Sequence, residues 1–94
     1  MIQGFADSET ERIWQGVRSR RLPSDIQSVA LRKLRLLNQA VVLQDLKIPP
    51  GNRLEALRGN MSGQHSIRIN DQWRICFVWS EGGPRHVGIV DYHD

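Results

Sequence analysis

The sequence predicts an α+β fold, with an N-terminal strand and two helices packed on an antiparallel sheet of three to four C-terminal strands. Three observations carry that prediction. Apolar residues recur every three or four positions up to about residue 40, and every second position after about residue 53. Between the two regimes lies Ile48-Pro49-Pro50-Gly51-Asn52, where two prolines remove backbone donors and Gly-Asn favours a turn. Turn-rich clusters at Gly59–Gly63 and Glu81–Pro84 then cut the second half into strand-length pieces.

Each element follows in order. Ile2–Ala6 alternates loosely and reads as a short strand. Ser8-Glu9-Thr10-Glu11 has the pattern of a capping box, with Ser8 accepting from a first-turn amide and Glu11 reaching back, and Ile13, Trp14 and Val17 supply the apolar stripe of a helix that Gly16 ends early. A second box, Ser24-Asp25-Ile26-Gln27, follows Pro23 and opens a helix over about residues 25–40. Its face is Ile26, Val29, Ala30, Leu34 and Leu37, with Arg32, Lys33 and Arg35 mostly off the stripe. Val41–Leu46 is expected to form a further short helical turn. His65–Asn70 alternates, setting Ile67 and Ile69 against Ser66, Arg68 and Asn70. The next strand sets Trp73, Ile75, Phe77 and Trp79 against Arg74, Cys76 and Val78, so it is apolar on both sides except at Arg74 and belongs at the centre of the sheet. Arg85–His93 is the last strand. The helices must cover one face of the sheet, which leaves the other free to form a concave site. Residues 1–94 are expected to make one domain, without repeats or linkers.

Ninety-four residues leave no room for a barrel or a two-domain nucleotide enzyme. No stretch approaches the roughly 20 apolar residues of a membrane span. The N-terminus has neither basic flank nor apolar run, and the single cysteine, Cys76, excludes an intramolecular disulfide, so a reducing cytoplasm is expected. The formal charge is only +3, yet eleven of the thirteen positive residues are arginine. Arginine holds phosphate bidentately and stacks on bases, whereas lysine would serve a solubility surface equally well.

The densest run of titratable groups is Asp91-Tyr92-His93-Asp94, which offers an acid, a phenol and an imidazole for proton transfer, and which reads equally as a polar chain end. What tilts the reading is Arg58, Arg68 and Arg74 on the neighbouring strands. If those strands pair as hairpins, guanidinium groups gather near the terminus, as phosphodiester cleavage requires. Arg74 stands out because an unpaired charge inside an apolar strand is costly. His65, His86 and Cys76 lack the close pairs of a zinc site, so no metal is expected. Cys76 reads as a small core residue, and Trp14, Trp73 and Trp79 as core. Arg18-Ser19-Arg20-Arg21 is either a solvated connector or a phosphate-contact patch.

Taken together, Pro49–Gly59, Gly63–Phe77 and Val90-Asp91-Tyr92-His93 resemble the HigB-type toxins of the RelE superfamily, and the resemblance covers essentially the whole chain. Its most specific parts are Ser66-Ile67-Arg68-Ile69-Asn70-Asp71-Gln72-Trp73-Arg74 and the Asp-Tyr-His ending. The resemblance implies a RelE-like domain and a ribosome-dependent endoribonuclease that cuts messenger RNA in the ribosomal A site without a cofactor. It also implies neutralisation by a HigA-type helix-turn-helix antitoxin, with operator DNA reached only through that complex. By the same resemblance, Arg74 and Arg58 hold the scissile phosphate, and His93, Tyr92 and Asp91 supply proton transfer and orientation. Arg68, Gln72, Asn70 and His65 contact RNA. The chain departs from some members in having Glu55 in place of a histidine and Arg58 in place of a lysine, which leaves the identity of the general base open. Two other readings remain: a ParE-like toxin acting on gyrase, and a non-catalytic RNA-binding module. A helix-turn-helix DNA binder is disfavoured, since the one long helix has no second recognition helix beside it.

Overall fold

The structure, a computed structural model, describes residues 1–92, and the expectations for His93 and Asp94 lie outside the described residues. Ile2–Ala6 is extended but, among the described residues, forms only one bridge, Phe5 with Val87, in parallel. It is held to the last strand by hydrogen bonds from the amides of Gln3, Ala6 and Val87. Helix α1 spans Ser8–Trp14. Its N-cap is Asp7, not Ser8: the Asp7 carboxylate accepts from the Thr10 amide at 2.7 Å. An ionised cap also interacts favourably with the helix dipole, so of two adjacent acceptors the carboxylate takes the position. The predicted stop is where it was expected. Gly16, at φ 80°, donates to the Ile13 carbonyl while Val17 donates to that of Arg12, the bond pair of a Schellman close.

Helix α2 spans Ser24–Gln39 and is preceded by Pro23, with no side chain capping it. The second capping box is therefore not formed. Gln27 instead braces the connector, accepting from the Ser19 amide and donating to the carbonyls of Ser19 and Leu22. Lys33 also departs from expectation: it is buried with Ile26, Ala30, Leu34 and Leu37, because Asn52 lies within reach of its ammonium group. The short helical turn falls at Leu43–Lys47, where Asp45 accepts from the amides of Val41 and Val42, and these bonds hold its carboxyl below the usual carboxylate range.

Strands β1 (Glu55–Ala56), β2 (His65–Arg68), β3 (Trp73–Ser80) and β4 (Gly83–Asp91) form one antiparallel sheet in chain order. Strand β2 stops before Asn70, whose side-chain oxygen accepts from the amides of Gln72 and Trp73 and so shapes the turn into β3. The pairs Ile67 with Ile75 and Ile75 with Ile89 share the face covered by the helices. Leu34, Leu37, Ile26 and Ala30 meet Ile67, Ile75, Phe77 and Val87 there.

Thr10 ties the helical layer to the sheet. It is fully buried; its hydroxyl donates to Asp7 and accepts from the amide of Ile89 at 2.9 Å. Thr10→Val keeps shape but strands a buried amide, so about 1–3 kcal/mol of stability is expected to be lost. Thermal or urea denaturation checks this, and an unchanged midpoint would show that the bond is dispensable.

Candidate active site

The face away from the helices carries the charge. Alternation and register place Glu55, Ser66, Arg68, Arg74, Cys76 and Val90 on it, and Arg68 lies directly opposite Arg74 across the β2–β3 pair. Like charges in that relation repel. Each guanidinium is drawn off by its own partner. Arg68 pairs with the exposed Asp71 at i+3. Arg74, only 8% exposed, donates through Nε to the Ser66 hydroxyl at 2.7 Å and through Nη2 to the carbonyls of Arg53 and Ser66.

Two adjoining recesses result. One, of about 180 Å³, is lined by Arg53, Glu55, Arg68, Asn70, Asp71, Arg74 and Tyr92. The other, of about 520 Å³, is lined by Glu55, Ala56, Leu57, Arg58 and Tyr92. Glu55 and Tyr92 belong to both, so a carboxylate and a phenol stand where two arginine-lined hollows meet. Tyr92 is held in place by its amide, which donates to the Gln72 carbonyl at 2.7 Å, and Gln72 also donates to the Asp91 carboxylate at 3.1 Å.

The structure therefore brings together Arg58, Arg68, Arg74, Glu55 and Tyr92 around the recesses, with Asp91 beside them through Gln72. Arg58 is not on a strand; it follows β1 and leads into the turn Gly59–Met61. Asn70 lines the smaller recess, although its oxygen is engaged by the turn. His65 is not with this group. It alternates onto the helix side, its ring stacked on Phe77 at 6.3 Å. Cys76 is buried, and burial pushes its thiol up against the opposing pull of Arg74, which disfavours a thiolate.

Sequence reasoning missed Arg53 and Ser66. Ser66 was visible in part, since it shares the alternating face of Arg68. Nothing local announced that the Arg53 carbonyl would turn onto Arg74.

Two helices over a four-stranded antiparallel sheet, with arginines, a carboxylate and a tyrosine on the open face, define the architecture of a RelE-like toxin. The family described as the RelE-like toxin of type II toxin-antitoxin system HigB matches residues 3–93, and the chain belongs to this HigB-like toxin family. It is 44% identical over 83 residues to "Toxin HigB-1" of Vibrio cholerae serotype O1, covering 87% of each chain. It is also 34% identical over 76 residues to an uncharacterized protein of Haemophilus influenzae, covering 80% of this chain and 75% of that one. A toxin of a type II system has an antitoxin as its partner. Among the described residues, no helix is long and apolar enough to cross a membrane.

Proposed function

We propose that the chain is a ribosome-dependent endoribonuclease of the cytoplasm that cleaves translated messenger RNA, folded as one domain over residues 1–94 and neutralised by a HigA-type antitoxin. The observation that carries this reading is the anchored Arg74 guanidinium in a recess shared with Arg68, Glu55 and Tyr92. In RNA the 2′-hydroxyl is an internal nucleophile, so the protein has to position the phosphate, stabilise its charge and move two protons. Arg74 and Arg58 hold the scissile phosphate, with Arg68 on the adjoining backbone. The 2′-oxygen bonds to phosphorus as the 5′-oxygen leaves. One proton passes from the 2′-hydroxyl to a base, and another reaches the leaving oxygen, from the set Glu55, Asp91, Tyr92 and His93. The products end in 2′,3′-cyclic phosphate or 3′-phosphate. Asn70 and Gln72 are assigned to RNA contact and the arginines of the helical half to ribosomal RNA, whereas His65, stacked on Phe77 on the helix side, is not.

Induced expression followed by primer extension on cellular mRNA tests this. Codon-phased cuts accompanying growth arrest are expected, and His93→Gln should abolish both. Arrest with intact mRNA and stalled gyrase would overturn the reading in favour of a gyrase-directed toxin.

A further inference from the structure

Arg74 is oriented from a distance. Its Nη2 is held by the carbonyl of Arg53, which takes the left-handed conformation, φ 46°, at the end of the turn Pro50–Asn52. A non-glycine residue rests there only when its surroundings impose it. The residue before it, Asn52, is fully buried, and its side chain is fixed from three sides. Its oxygen accepts from Lys33 Nζ, and its amide donates to the carbonyls of Leu46 and Ile48 at 3.2 and 3.3 Å. Lys33 is itself buried on α2, and burial lowers its ammonium below the usual lysine range, with Arg32 and Arg68 adding to the effect. A buried amine is costly, and apolar residues would fill a helix face more cheaply. Neither Lys33 nor Asn52 lines the recesses.

We infer that Lys33 and Asn52 are positioning residues for Arg74: their buried bond pins the 48–53 turn, which aims the Arg53 carbonyl at Nη2. With Ser66 on Nε, the guanidinium is held at two points. Among the described residues Nη1 has no protein partner, and it is left for a ligand. The catalytic part of this inference rests on the proposed ribonuclease reading; the positional part does not.

Lys33→Met keeps the aliphatic stem and removes the donor. The readout is the ¹⁵Nε–¹Hε resonance of Arg74, which in the wild-type protein is expected to exchange slowly because Nε is bonded and its partner Nη2 is fixed. In Lys33→Met that exchange should accelerate at least about tenfold while the melting transition stays cooperative. In a translating-ribosome cleavage assay, kcat should fall about tenfold with KM within about twofold, the split that marks an interaction made in the transition state. Should Lys33→Met fail to fold, Asn52→Ser, which keeps a smaller polar group beside Lys33 while releasing the bonds to the Leu46 and Ile48 carbonyls, carries the same two measurements. Wild-type exchange at Arg74 in a folded variant would overturn the inference. Accelerated exchange in a protein whose wild type cuts no mRNA would keep the pin and overturn its catalytic role.

Discussion

Arg74→Ala is expected to lower mRNA cleavage by about 10²–10³-fold, the loss seen when a preorganised donor to a developing oxyanion is removed. Arg74 meets that description because its position does not depend on substrate: Ser66 and the Arg53 carbonyl hold it before anything binds. Arg58 is exposed and lacks such bracing, so Arg58→Ala should cost less. Arg74→Lys keeps the charge, but a single ammonium cannot reproduce the planar fork, and most of the loss should remain. The fold should tolerate the change to alanine, since Arg74 borders the open recess and the space its side chain vacates gives water a route to the Ser66 hydroxyl and the two carbonyls. Growth on induction, primer extension and a thermal melt on the same variants check the three statements. A soluble, folded Arg74→Ala that arrests growth as the wild type does would remove Arg74 from the site.

Most of the architecture was legible because it depends on local pattern. The change of period at Pro49-Pro50 separates helices from sheet as read, Gly16 closes α1, and alternation puts Arg68 and Arg74 on the face opposite Ile67 and Ile75. What pattern could not give was set by competition or by distant partners. Asp7 displaces Ser8 as the cap because both lie at the helix start and compete for it, and the ionised carboxylate is the better acceptor beside the helix dipole. Gln27 serves the Ser19 connector rather than its own helix terminus. Lys33 counts as polar in any periodicity, and it is inside because Asn52, nineteen residues on, provides its acceptor. The site shows the same division. Arg68, Arg74 and Tyr92 follow from alternation, whereas the bracing of Arg74 by a backbone carbonyl has no signature in the side-chain sequence.

Phe77→Ala is expected to cost about 3–5 kcal/mol, a large share of the roughly 5–15 kcal/mol that stabilises a domain. Phe77 is fully buried on the helix side of β3, paired with His65 across the ladder and stacked on its ring. Its loss opens a cavity among Val87, Ile75 and α2 that a β-strand cannot collapse to fill. For a chain of this length the midpoint should fall by about 12–40 °C, at roughly 4–8 °C per kcal/mol. Phe77→Leu, nearer in volume, should cost less than half as much. Phe77 and Arg74 are three residues apart on one strand yet face opposite sides of the sheet, so their effects should separate. Below its melting transition, Phe77→Ala should cleave mRNA at nearly the wild-type rate per folded molecule, while Arg74→Ala should be folded and inert. Far-UV circular dichroism melts and cleavage normalised to the folded fraction measure both. Equal loss of cleavage in folded Phe77→Ala would mean that the geometry of the open face depends on core packing, not on the hydrogen bonds that hold Arg74.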